Sequence, residues 1–256
     1  MNAQTRRVAA AVVLTAAVAA CAACGGPDPA VGASPPTAPV PAASPESVPE
    51  PVPVPVPVST PELERALFVA VRADDADAVR AALAGGAALE ARGDGGRTPL
   101  VAAAKSNSVN AARVLVAEGA DVNAKDDLED SAFLYAGAEG LDEILALTLA
   151  HGADVSDTNR FGGTALIPAA EHGHVETVRT LIRAGVPVDH VNEPGWTALL
   201  EAVVYGDGSA RYQDVVGQLL AAGADRSIAD ADGRTALQHA QRRGQEDVAA
   251  LLREGR

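Results

Sequence analysis

The sequence predicts an all-α solenoid of about six helix-turn-helix units joined by short β-hairpin or loop connections, and three observations predict it. A glycine recurs at Gly86, Gly119, Gly152, Gly185 and Gly223, with three steps of 33 residues and a last step of 38. A second landmark keeps the same register: Leu67, Leu100, Leu166, Leu199 and Leu237, with Phe133 at that place in the third unit. The composition is rich in Ala, Val, Leu and Gly, with aromatics at only 3%. Small side chains let repeated helical hairpins approach closely, and each hairpin buries its apolar face only against its neighbours.

Ahead of the repeats lies a different kind of sequence. Arg6 and Arg7 precede an uncharged run from Val8 to Ala20 that ends in small residues. That order is the basic, apolar and cleavage-site pattern of a secretory signal, and the run falls short of the ~20 residues of a membrane-spanning helix. Val18-Ala19-Ala20-Cys21 resembles the bacterial lipobox. The resemblance implies a signal peptide over 1–20, lipidation of Cys21, and an exported chain anchored at the cell membrane, facing the periplasm or cell exterior. Cys24 is the alternative, although it puts Cys21 where an aliphatic residue belongs. The arginine pair leaves the general and twin-arginine routes both open. Both cysteines sit at this junction, so the folded part has no internal disulfide to rely on.

Residues 21–60 are expected to form the lipidated N-terminus and a proline-rich, disordered spacer. Thirteen of the 17 prolines fall between Pro27 and Pro61. Proline fixes φ and removes a donor, so its densest part is expected to be an extended polyproline stalk of about 3.1 Å per residue. Thr60-Pro61 then reads as a helix start, with Thr60 as N-cap and Pro61 in the first helical position.

The repeat domain spans 61–256, with units of approximately 63–93, 94–126, 127–159, 160–192, 193–230 and 231–253. Thr98-Pro99-Leu100 opens the second unit, and Thr164-Ala165-Leu166, Thr197-Ala198-Leu199 and Thr235-Ala236-Leu237 open the fourth, fifth and sixth. Gly119-Ala120-Asp121, Gly152-Ala153-Asp154 and Gly223-Ala224-Asp225 follow later in their units, and Gly173-His174 lies at a helix turn. A unit of this length with these motifs resembles the ankyrin repeat. A tetratricopeptide array has nearly the same period but not the Gly-Ala-Asp signature. Threonine suits a helix cap, proline its first turn, and glycine the left-handed exit of the second helix. Units one and six depart from the motif in the way solenoid caps do. Unit three carries Ser131 for Thr and Glu129 for Gly, which predicts an irregular turn.

Charge and composition exclude several functions. The formal charge is −14, and it becomes more negative once Arg6 and Arg7 leave with the signal. Such a chain repels a phosphate backbone and has no polybasic run for anionic lipid, so no nucleic acid is expected as partner. His172, His174 and His190 lack a metal-ligand spacing, and Glu171-His172 lacks a nucleophile or second carboxylate in a recognisable arrangement. The expectation is no enzyme, no metal and no cofactor.

The ankyrin resemblance implies binding through the turn tips and the exposed side of each first helix. Carried onto this sequence, it nominates Arg160, Phe161, Glu171 and His172 from unit four, and Glu193, Trp196, Val204 and Tyr205 from unit five. Asp127, Leu128 and Asp130 adjoin from unit three, and Arg234 and Arg242 from unit six. Tyr212 joins the set through a five-residue insertion in Gly206–Tyr212. Four of the seven aromatics (Phe161, Trp196, Tyr205 and Tyr212) fall in units four and five. Two readings stand: a binding hot spot, or a cover for the turn stack. The insertion is likewise either part of the site or a tolerated loop. The function expected is a non-enzymatic protein–protein interaction module, an adaptor or chaperone-like scaffold, tethered at the outer face of the cytoplasmic membrane. The alternative is an envelope-structural or cell-wall-binding lipoprotein. Partner identity and oligomeric state stay open.

Overall fold

The computed structural model describes residues 60–254. The expected signal peptide, the lipidation candidate Cys21 and the expected spacer therefore lie outside the described residues.

Helices follow one another in six pairs. They are α1 (Thr60–Arg72) and α2 (Ala76–Ala84), α3 (Pro99–Lys105) and α4 (Val109–Ala117), and α5 (Ala132–Glu139) and α6 (Asp142–Ala150). Then come α7 (Leu166–Glu171) and α8 (Val175–Ala184), α9 (Ala198–Val204) and α10 (Ala210–Ala221), and α11 (Ala236–Arg242) and α12 (Glu246–Glu254). The first helices of the pairs pack in one row and the second helices in another. Leu67, Leu100, Phe133, Leu166 and Leu199 are each at most 2% exposed, so the repeating landmark is the core. Leu237, in the last unit, is only partly buried, as befits a cap. Alanines at one register, Ala103, Ala136, Ala169, Ala202 and Ala240, are fully or almost fully buried and keep the first-helix row tight. The approach is close at Gly137, where a Cβ would meet that of Ala165 at 2.7 Å.

The periodic glycine has one cause throughout. In unit two, Gly119 has φ +91° and donates to the Val116 carbonyl, while Ala120 donates to Leu115. This is a Schellman exit, which needs a left-handed residue after the helix and an apolar residue next. The same pair of bonds closes the second helices at Gly86, Gly152, Gly185 and Gly223.

The connections correct one expectation. In place of β-hairpins, the units are joined by single tight turns, and an isolated antiparallel bridge, Ala229 to Thr235, is what remains of strand pairing among the described residues. In each turn the first residue exchanges bonds with the residues three and four further on: Asp126 with Glu129 and Asp130, Asn159 with Gly162 and Gly163, Asn192 with Gly195 and Trp196. The fourth residue takes a left-handed conformation. That is a three-residue hairpin loop with its bulge, and the chain leaves it too soon to add a ladder. Asp126, Asn159 and Asp230 each brace the turn through Oδ1, which accepts two backbone N–H groups. Glu129 fills the left-handed place with φ +61°, so unit three has the regular turn despite lacking the glycine.

Caps follow the sequence with one exception. Thr98, Ser131, Thr197 and Thr235 each accept the N–H three residues on. Thr164 does not, and its hydroxyl is buried without a partner. The cause is Pro168, which occupies the position whose N–H bonds the cap carbonyl in the other units. Without that donor, the Thr164 carbonyl takes the Ile167 N–H instead, and α7 starts late and is the shortest α-helix described. At the first helix, α1 includes Thr60, one residue earlier than its expected role as cap.

The insertion in unit five is divided. Two residues lengthen the loop after α9 and three lengthen α10, compared with the loop and second helix of unit two. The loop is held from both sides, since Gln245 and Arg243 donate to the Gly206 carbonyl and Tyr212 reaches back to unit four.

Candidate functional site

Turn tips and first helices together frame the site. Phe161 sits at the tip of the unit-four turn and is 50% exposed, with the Arg160 guanidinium 4.6 Å from its ring centroid. Below it is a depression of about 390 Å³ between the turns of units four and five and the outward sides of α7 and α9. Arg160, Phe161, Glu171, His172, Asn192 and Glu201 line it, and Pro168 forms part of its wall. The Glu193 N–H donates to the Phe161 carbonyl at 2.9 Å, so the two turns are fixed to each other. His190 adds a contact of 2.6 Å from Nε2 to the Gly162 carbonyl.

Four expected residues thus meet in one depression: Arg160, Phe161, Glu171 and His172. Glu193 is exposed on the adjoining turn. Trp196 and Tyr205 form a second cluster, with ring centroids 6.2 Å apart, and His239 lies 5.9 Å beyond Trp196. Tyr205 is 59% exposed, whereas Trp196 is partly buried against the core. Val204 is half-buried. Tyr212 departs from expectation. At 6% exposure it is a packing residue, its hydroxyl donating to the Glu171 carbonyl at 2.9 Å. The added turn of α10 turns it inward and joins units four and five.

Glu201 was not nominated from sequence, yet it is the most perturbed carboxyl in the groove. It is 8% exposed, and its Oε1 accepts from Asn192 Nδ2 at 3.0 Å. Burial, and then the negative charge of Glu171, push its pKa up from 4.5 to about 7, against the Asn192 bond. At neutral pH this group is therefore part proton donor and part anion, so the groove's charge changes close to neutrality.

His172 and His174 meet edge to face, with ring centroids 5.5 Å apart. His172 Nδ1 bonds the Ala138 carbonyl at 2.9 Å, His190 bonds Gly162, and His174 packs close to Gly140. Burial, and then the neighbouring His172, lower the His174 pKa. Among the described residues no group of three or more His, Cys, Asp or Glu is placed to hold a metal ion. No helix of the described residues is long and apolar enough to cross a membrane.

Comparison with known proteins agrees with the geometry. A family model described as ankyrin repeats, in three copies, matches residues 56–126 and 133–225. The chain is similar to the crystal structure of an ankyrin repeat domain from Acinetobacter baumannii AYE, at 54% identity and a TM-score of 0.71, covering 73% of this chain and 95% of that one. It is also similar to the ankyrin repeat protein EF0377, at 39% identity and a TM-score of 0.72, covering 75% and 98%. A Leifsonia xyli subsp. xyli protein named as an ankyrin-containing lipoprotein is 66% identical over 38 residues. That match spans 15% of each chain.

Proposed function

We propose, from the premise that the chain belongs to the ankyrin-repeat family, that its groove over units four and five captures a protein partner at the outer face of the cytoplasmic membrane. Solenoids of this family typically mediate protein–protein contacts without catalysis. The observation that carries the reading is the pairing of two well-exposed aromatics, Phe161 and Tyr205, with a depression that contains a buried carboxyl. Rigid aromatic area beside a desolvated polar group is the composition of a binding hot spot.

The test compares partner capture from an envelope extract by the unacylated full chain (Cys21→Ser, Cys24→Ser) and by the same chain carrying Phe161→Ala and Tyr205→Ala. Capture of one protein is expected to fall at least tenfold, since hot-spot truncations cost about 2 kcal/mol or more. Both side chains are at least half exposed, so stability should change by no more than about 0.5 kcal/mol each. Trp196 is a poorer probe, because it packs on the core. Identical capture by both chains would remove the groove from consideration. Co-sedimentation of both with cell-wall material would favour the envelope-binding alternative.

The membrane attachment rests on Val18-Ala19-Ala20-Cys21 and on the lipoprotein name of the Leifsonia relative. Cys21→Ala is expected to abolish incorporation of labelled palmitate and to release the protein from the membrane fraction, with Cys24→Ala leaving both unchanged. The reverse pattern would move the anchor to Cys24.

A further inference from the structure

A net charge of −14 conceals a basic cavity at the far end of the array. Between α1, the first turn and α3 lies a cavity of about 250 Å³ lined by Arg65, Arg72, Arg97 and Lys105, with Phe68 in its wall. Arg65, Phe68 and Arg72 fall at i, i+3 and i+7 on α1, a spacing that puts them on one helix face. Arg97 comes from the turn and Lys105 from the end of α3.

These cations are not equally satisfied. Lys105 Nζ lies 2.7 Å from Asp130 and 3.1 Å from Asp126, and it sits 4.6 Å from the centre of the Tyr135 ring. Its charge is spent. The nearest carboxylate to Arg97 is Asp126, at 3.8 Å, and the Arg97 Nε is buried with no hydrogen-bond partner. Arg65 and Arg72 have no ion-pair or hydrogen-bond partner among the described residues. Asp94 is the one carboxylate that lines the cavity. Three guanidinium groups thus converge with N–H donors unused. Bringing like charges together without neutralising them is unfavourable, and a buried donor left unmade costs about 1–3 kcal/mol. A planar guanidinium fork matches a carboxylate or phosphate in two parallel hydrogen bonds.

We propose that this cavity is an oxyanion site, taking a carboxylate or phosphate group presented by a ligand. It shares no residue with the aromatic groove of units four and five, so either site can fail without the other.

The test titrates the unacylated full chain, at low ionic strength, with inorganic phosphate in one arm and N-acetylglutamate in the other. Binding is followed by calorimetry and, for phosphate, by phosphorus NMR line width. One saturable site is expected. Arg65→Gln with Arg72→Gln should weaken it at least tenfold, while Arg183→Gln with Arg253→Gln, an equal charge change at exposed positions elsewhere, should not. All four arginines are exposed, and circular dichroism checks that both variants keep the fold. A tighter phosphate arm assigns a phosphorylated ligand, and a tighter N-acetylglutamate arm assigns an acidic peptide. No saturation by about 10 mM of either probe, or equal weakening by both pairs of substitutions, would overturn the proposal.

Discussion

Phe133→Ala is expected to lower the stability of the repeat array by about 3–5 kcal/mol, the range for removing a buried aromatic from a packed core. Phe133 is 1% exposed and belongs to the continuous core cluster. It holds the register that leucine holds in units one, two, four, five and six, so no neighbour is shaped to refill the space. Its place in the third of six units raises the cost, because stability in a solenoid is a sum of units and nearest-neighbour interfaces. Damage at α5 touches the interfaces to α3 and to α7 together. Urea denaturation would show it in two ways. With a slope of about 2–3 kcal/mol/M for a domain of this size, the midpoint should fall by about 1–2 M. The single tryptophan, Trp196, reports unit five, whereas far-UV circular dichroism reports all units. The two transitions should coincide in the wild type and separate in the variant, with units four to six unfolding apart from the rest. A midpoint shift below about 1 kcal/mol equivalent, with transitions still coincident, would mean that the core repacks around the lost ring.

The readability of this chain depends on how local each cause is. The glycine at Gly86, Gly119, Gly152, Gly185 and Gly223 was decisive because its cause is a backbone conformation that no other residue adopts cheaply, and such a constraint repeats without change. The threonine caps were readable for the same reason, and Thr164 failed through an equally local effect, the missing N–H of Pro168. The turns were misjudged because a motif names the residues that start a turn and not how far the strands continue beyond it. Tyr205 and Tyr212 are seven residues apart, at the two ends of the lengthened segment. Only the extra turn of α10 makes one exposed and the other buried, and insertion length alone does not divide itself between loop and helix. Glu201 was missed for a geometric reason. The nominated first-helix residues, Glu171, His172, Val204 and Tyr205, lie seven and eight places after the cap. The residue four places after the cap shares that helix face, and this register holds Tyr135, Pro168, Glu201 and His239. Applying both spacings would have found it. The basic cavity was hidden by the sum: a net charge averages over the chain, and Arg97 joins Arg65 and Arg72 only through packing.

Glu201→Gln is expected to stabilise the protein at pH 8 by about 2 kcal/mol, and to leave it nearly unchanged at pH 4. The folded chain holds this carboxyl's proton up to about pH 7, whereas an unfolded chain releases it near 4.5. Between those values the folded state binds more protons than the unfolded one. Stability therefore falls as pH rises through that window, and the loss is complete once pH exceeds the folded value. Glutamine is neutral throughout. Its Oε1 can still accept from Asn192 Nδ2, and its amide can donate toward Glu171, replacing a repulsive neighbour with a hydrogen bond. Near pH 4 and below, the carboxyl is protonated in the folded and the unfolded chain alike, and acid and amide are nearly isosteric, so the difference should vanish there. Urea midpoints measured from pH 4 to pH 8 would show a downward slope in the wild type that is reduced in the variant. Parallel curves would mean that Glu201 is ionised throughout, held by Asn192 more strongly than burial opposes it. A binding surface gains from the wild-type arrangement what the fold loses by it. A carboxyl poised near neutrality gives up its proton at little cost when a cationic group approaches, so a partner bearing one would bind more tightly at pH 8 than at pH 6.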